Sequence, residues 1–402
     1  MESSKTSTIS VEKNFLSELL QGVLGGQSVT VGEWQEETLE GGFELDSAIH
    51  RLYGTATIDG RTQAWSLIVK VIRSSENSAD PQGCHYWKRE MLAYQSGFLK
   101  ELPGKLAAPH CYAITEQPDA SVWIWMEDVK DDNPQPWSID QYAQVARHLG
   151  QFNGAYLAGR PLPADPWVTH DWLRKYLEGA VPMMEFILQN PDNTIISNRF
   201  PGIAFPMMLA LWDEYPHLLK VLDHLPQTFC HQDAFKRNLF NRAGELIAID
   251  WSFSGIAPVG SELAVLLGCA FDFGNFPSSQ ANDLDKACFT AYLDGLRQAG
   301  WHPDEHQVRK GFTITLLLRY VLAASIGEVL PKMMNENTRQ QGIEEMDVSP
   351  EKAGVEDAAV VAYLQSIGME AIRSVGLVVL IRSLAHIAWY VIWLGNKRRS
   401  RV

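Results

Sequence analysis

The stretch "CHQDAFKRNLFNRAGELIAIDW", residues 230–251, constrains this chain more than any other. It sets His231, Asp233 and Asn238 in the order H-x-D-x-x-x-x-N, and Asp250 follows twelve residues beyond Asn238. The runs "NLFNR" and "ELIAID" are short, apolar and joined by Ala243-Gly244, which predicts a tight hairpin. A loop running straight into such a hairpin can bring an aspartate, an asparagine and a second aspartate to one point.

The remainder of the chain says what kind of scaffold presents that loop. Residues 11–24 carry apolar side chains at helical spacing and predict an amphipathic helix. "AIHRLYGTATI" and "AWSLIVKVI" flank "DGRTQ", where Asp59-Gly60 favours a hairpin. "HYWKREMLAYQSGFL" (85–99) has helical periodicity, and "SVWIWMEDV" (121–129) is a strand by its aromatic and β-branched content. The order strand, strand, helix, strand predicts a small antiparallel sheet with one helix packed on it. Beyond "DDNPQPW" (131–137) the character becomes helical, starting with 139–157 behind the N-cap residue Ser138. The expected organisation is a helical extension over 1–34, a sheet-and-helix lobe over 35–127, and a helical lobe over 128–402. The last holds the loop 231–250 and the C-terminal helices, with 340–402 extending it.

The residue types have a chemical logic. In ATP-dependent phosphoryl transfer, one carboxylate orients the acceptor hydroxyl and takes its proton. An amide oxygen and a second carboxylate hold magnesium against the phosphates. A strand lysine reaching the phosphates, steadied by a helix glutamate, is the other half of such a machine. Lys70 lies in "AWSLIVKVI", and Glu90 follows twenty residues later in "HYWKREML". Gly41 and Gly42 of "LEGGF" precede the first hairpin strand, where a phosphate-covering loop would stand. Met126, Glu127 and Asp128 of "WMEDV" end the last sheet strand, where backbone groups would meet adenine.

Lys70, Glu90, "MEDV", "HQDAFKRN" and "IDW" resemble the aminoglycoside phosphotransferase/choline kinase family of the protein-kinase-like superfamily, over about residues 35–330. The resemblance implies an α+β, bilobal protein-kinase-like fold. A five-stranded antiparallel sheet with one key helix would form the N-lobe, a larger helical lobe would follow, and ATP and Mg2+ would bind between them. It implies Asp233 as catalytic base, Asn238 and Asp250 as magnesium ligands, Lys70 on the phosphates and Glu90 as its partner. Many members carry Gly after the motif histidine, where this chain has Gln232. The literal Asp-Phe-Gly at 272–274 is a decoy: it follows a predicted helix, whereas the metal aspartate should come directly after the hairpin. His231 reads as a scaffold for the loop, Glu262 as a structural anchor of the helix behind it, and Lys236 and Arg237 as facing phosphate or solvent. Trp172, Met183, Met184, Met207 and Met208 read as core.

Charge and composition narrow the partners. With 34 basic and 48 acidic residues the net charge is −14, which repels nucleic acid and anionic membrane. The one basic cluster, "NKRRSRV" at 396–402, reads as a solvated tail. The five cysteines form no C-x-x-C pair and their histidine neighbours do not suit zinc, so a reducing, cytoplasmic setting is expected. The apolar segments 311–330 and 375–395 are divided by Arg319 and Arg382, and read as buried helices rather than membrane spans. Residues 128–230 hold 12 acidic and 7 basic side chains, an excess that suits a cationic acceptor.

The expected function is therefore an O-phosphotransferase acting on a small hydroxyl acceptor such as an aminoglycoside or related amino sugar, as monomer or homodimer. The alternatives are a metabolite kinase of the choline, homoserine or methylthioribose type, and an inactive nucleotide-binding pseudokinase.

Overall fold

A computed structural model of the chain describes residues 9–25, 28–39, 47–75, 78–133, 136–202, 204–272, 276–335, 363, 366–373, 387 and 389–390. These fall into two compact units. The first comprises Met1–Pro81, His85–Pro134 and Asn238–Phe253; the second comprises Gln82–Cys84, Gln135–Arg237 and Ser254–Val402.

The first unit is built on β1 (Val29–Leu39), β2 (Ala48–Ile58), β3 (Arg61–Ile72), β4 (Leu106–Ala107), β5 (Cys111–Glu116) and β6 (Val122–Glu127). Five of these form one antiparallel sheet in the order β1-β2-β3-β6-β5. The β2–β3 turn has Asp59 at φ 47° and Gly60 at φ 83°, the two left-handed residues that a two-residue hairpin turn requires. Along β3, Leu67, Val69 and Val71 point to one face and are fully covered there by α1 (Lys13–Leu24), through Leu16 and Leu20. The period of two sends Lys70 to the opposite face. That face receives α2 (Arg89–Gln95), so the sheet carries a helix on each side rather than the single one expected.

Three boundaries differ from expectation. The limit at residue 34/35 falls inside β1, because α1 belongs to the core of the sheet unit instead of extending from it. The helix expected over 85–99 is only seven residues long; Gly97, at φ 77°, ends it before the separate turn Phe98–Lys100. Residues 238–253, placed with the helical lobe, group with the first unit. There β8 (Leu239–Arg242) and β9 (Glu245–Ala248) form the hairpin, and β9 also pairs in parallel with β4.

The second unit is mostly helical. It contains α3 (Ile139–Leu157), α4 (Trp172–Gly179), α5 (Val181–Gln189), α6 (Thr194–Arg199), α7 (Ala204–Asp223), α8 (Ser261–Asp272) and α9 (Ala281–Gln298). The short strands β7 (Gln227–Cys230) and β10 (Gly255–Pro258) pair antiparallel within it. A last long run begins as α10 (Glu305–Leu316), winds as a π-helix over Leu317–Val329 and ends as α11 (Leu330–Met334). By length and composition this run could cross a bilayer, yet 72% of its apolar window is buried within the protein, as in a core helix. α3 starts where Ser138 predicts, closed by a reciprocal capping box with Gln141. It lies against α9 at Gly150 and Gly295, where a Cβ would come within 2.3 Å of Tyr292 O and 2.1 Å of Arg147 O. Met184 and Met208 are core, as expected, and Ala371, Ile372 and Tyr390 join the same cluster. The rest of 375–395, apart from residues 387, 389 and 390, lies outside the described residues.

Candidate active site

In the first unit, an ammonium and two carboxylates meet. Lys70 Nζ on β3 lies 2.6 Å from Glu90 Oε2 on α2 and 2.8 Å from Asp250 Oδ1 just beyond β9. Lys70 is 7% and Glu90 2% exposed. Burial pulls the lysine pKa down, but the charges of Asp250 and Glu90 outweigh it and hold the pKa above its ordinary value. Burial pushes the Glu90 carboxyl up; Lys70 opposes this and Asp250 adds to it, and the net shift is upward. With both carboxylates ionised, these three side chains sum to one negative charge.

Local structure makes the meeting specific. The other Glu90 oxygen accepts the Trp251 N–H at 3.3 Å, and the buried Arg89 donates to Ser252 O at 2.7 Å and to Pro81 O at 3.0 Å. Thus α2 is bonded to the two residues that follow Asp250. Asp250 itself has φ 61°, left-handed backbone that aspartate tolerates better than most residues, and its side chain is 29% exposed. Across the hairpin, Ile249 N–H donates to Asn238 O at 2.9 Å, which sets Asn238 beside the strand end carrying Asp250. Ala243 (φ 50°) and Gly244 (φ 84°) make the turn.

The strand end at Met126–Asp128 is also committed. Glu127 N–H donates to His110 O at 2.9 Å, and its carboxylate pairs with Arg242. Asp128 accepts from Arg51 at 3.0 Å and from Ser66. These carboxylates hold the unit together, which leaves main-chain groups as the means by which this segment could meet a ligand. Gly41 and Gly42 lie outside the described residues.

Asp233 stands in the second unit, in the loop after β7, five residues before Asn238 along the chain. Glu262, fully buried in the first turn of α8, accepts the N–H of His231 at 2.6 Å and of Gln232 at 3.0 Å. Burial raises the Glu262 carboxyl to about 7, against the pull of those two amides. His231 Nδ1 accepts the Asp233 N–H at 3.2 Å, so the ring braces the loop as expected. Gln232 has φ 63°, where many members of the resembled family carry glycine. Lys236 places its ammonium over the Trp137 ring, 4.6 Å from the centroid. Asp272 is the last residue of α8, and Phe273 and Gly274 lie outside the described residues.

In the sequence Arg319 stands out only as the charge that divides an apolar segment. It donates to Gln232 O at 2.5 Å and lies 3.6 Å from Asp233 Oδ1. The available signal was a lone charge inside an apolar helix, which demands a partner once buried. Arg89, between Lys88 and Glu90, carries no such mark in the sequence. All five cysteines are free thiols, and among the described residues no three His, Cys, Asp or Glu side chains gather as a metal cluster.

An antiparallel sheet whose central strand offers a lysine to a helix glutamate, followed by a mostly helical remainder, is a protein-kinase-like α+β fold, the class expected from the sequence. Within that class the chain belongs to the phosphotransferase enzyme family (APH), which it matches over residues 63–303, more than half its length. It is accordingly a phosphotransferase with an alcohol group as acceptor. Among solved structures it is similar to the amicoumacin kinase hAmiN in complex with AMP-PNP, Ca2+ and Ami, at 15% identity and a TM-score of 0.51, over 84% of this chain and 88% of that one. It is also similar to an aminoglycoside phosphotransferase from Alicyclobacillus acidocaldarius subsp. acidocaldarius DSM 446 (14% identity, 92% and 98% covered, TM-score 0.46). A third is a choline/ethanolamine kinase family protein from Mesorhizobium loti (14%, 88% and 92%, TM-score 0.41). At 15% identity the likeness to the first of these speaks to fold alone. No curated protein matches the chain.

Proposed function

We propose that the chain transfers the γ-phosphoryl group of ATP to a hydroxyl of a small, cationic acceptor, an aminoglycoside or related amino sugar being the leading class. The observation that carries this reading is the buried cluster of Lys70, Glu90 and Asp250. A buried ammonium between two carboxylates is a costly arrangement for stability alone. It has a use where the ammonium must meet phosphate oxygens and one carboxylate must meet a cation.

The roles follow from the chemistry of each group. Lys70 binds the phosphates and Glu90 keeps its ammonium aimed. The Asp233 carboxylate takes the acceptor hydroxyl proton as the new O–P bond forms, and the bond to the ADP oxygen breaks. Asn238 and Asp250 offer hard oxygen donors. One carboxylate and one amide are too few for an all-protein metal cage, but they match an ion that completes its shell with phosphates and water. Magnesium bound there would screen the phosphate charge. That Asp250 already faces the Lys70 ammonium at 2.8 Å supports its fitness for a cation. The free thiols and the net charge of −14 suit a reducing cytoplasm and a soluble acceptor.

The test is ADP release from ATP-Mg across aminoglycosides, choline, homoserine and methylthioribose, with Asp233→Asn alongside. Stimulation by an amino sugar that the substitution abolishes is expected. Stimulation by another class alone would reassign the acceptor. Tight ATP binding without turnover for any of them would favour a pseudokinase.

A further inference from the structure

Arg319 lies within the π-helical winding of the last long helix, 6% exposed, the one charged residue between Lys310 and Glu328. Its guanidinium is shared between two adjacent residues of one loop. One nitrogen donates to Gln232 O at 2.5 Å and the other lies 3.6 Å from Asp233 Oδ1. The plane rests on Trp172, 4.3 Å from the ring centroid, which fixes its orientation. Glu262 holds the same loop from the other side, through the N–H groups of His231 and Gln232. Gln232 therefore sits in left-handed backbone with its amide and its carbonyl both tied to charged groups. Replacing both charges of a buried pair by apolar groups of similar volume is often neutral or stabilising, so the Arg319–Asp233 pairing is weak evidence of a stability role. Packing gives no reason for a guanidinium there, whereas aiming a carboxylate does. The wider π winding is itself a feature that recurs at functional sites.

We propose that Arg319 is a positioning residue for Asp233, fixing the peptide before it and favouring its ionised, proton-accepting state. This rests on the reading of Asp233 as the base. The titratable and charged groups of this unit on the elements around Asp233 include His231, Lys236 and Arg237 on the loop, Glu262 on α8, and Arg319 and Tyr320 on the π-helix. Cys269 of α8 bonds the Tyr320 hydroxyl. Of these, Arg319 is a buried permanent cation within 4 Å of the Asp233 carboxylate, while Arg237 is exposed.

The test uses the full-length chain with ATP-Mg, reading ADP release with water or with the acceptor panel above, across pH. The variants are Arg319→Met, Arg319→Lys, Asp233→Asn and the Asp233→Asn/Arg319→Met double. Arg319→Met should lower kcat about 100-fold, as a misplaced base does. It should change KM for ATP by less than about two-fold, and move the acid limb of the pH profile up by about one unit. Arg319→Lys keeps the charge, so its acid limb should stay with wild type while kcat recovers about ten-fold. In the Asp233→Asn background, removing Arg319 should cost less than about two-fold, because its partner is gone.

Wild-type kcat and pH profile in Arg319→Met would overturn the proposal, as would losses that multiply in the double variant. If Asp233→Asn itself keeps full activity, the reading of the base fails instead, and the positioning role fails with it. Thermal unfolding and binding of an ATP analogue check that each variant folds. Should Arg319→Met not fold, Arg319→Lys with and without Asp233→Asn decides by the same non-additivity.

Discussion

Lys70 shows why a single buried charge is so informative. Replacing it by methionine would leave Glu90 and Asp250, two carboxylates, with no cation between them. The expected outcome is a destabilisation of about 3–5 kcal/mol, seen as a lowered urea midpoint, together with at least about a 100-fold loss of kcat/KM for ATP. Glu90→Gln should be milder on both counts, since Asp250 still pairs with the lysine. Glu262 supports a different kind of prediction. Its folded pKa, about 7, lies above the 4.5 of an unperturbed glutamate. The folded state therefore holds this proton more tightly. The contribution is fully present below about pH 4.5 and is lost as pH rises through about 7. Comparing wild type with Glu262→Gln isolates it. The stability difference between them should shift against wild type by up to about 3 kcal/mol across that window. A difference that is flat with pH would show that the carboxyl is not protonated there.

At the level of elements, what could be read from the sequence depended on burial. The interior strands β3 and β6 are rich in Ile, Val and Trp and were legible at once. The edge strands β1 and β5 were not, because a strand paired on one side needs fewer apolar residues. The run "VTVGEWQEETL" in β1 alternates without an apolar face over most of its length. The hairpins at Asp59-Gly60 and Ala243-Gly244 were legible from turn chemistry alone. α3 was legible to the residue, since Ser138 and Gln141 form its capping box. Ser138→Ala should cost about 1 kcal/mol in thermal or denaturant unfolding. Gly295 was silent in the sequence and speaks only through the contact of α9 with α3. Gly295→Ala should destabilise by about 1–3 kcal/mol, although alanine favours helix, and an unchanged melting temperature would contradict the close approach.

For the whole molecule, the candidate site divides in the same way. Lys70, Glu90, Asp233, Asn238 and Asp250 were visible because their spacing along the chain is itself a motif. Glu262 and Arg319 are brought to the loop by tertiary packing, 31 residues beyond His231 and 87 beyond Gln232; Glu262 shows in the sequence as an anchor of the next helix, and Arg319 as a charge inside an apolar run, and neither shows there that it holds this loop. No single stretch of the sequence announces the acceptor, which is the part of the proposed function least legible there. The proposed reaction is nonetheless direct: a hydroxyl attacks ATP with Asp233 as its base. The measurement that tests it is mass spectrometry of the acceptor after incubation with ATP-Mg and wild type or Asp233→Asn protein. The expected product is an acceptor heavier by one phosphate, formed with wild type and at least about 1,000-fold more slowly with Asp233→Asn. Equal formation of the phosphorylated acceptor by both proteins would contradict it.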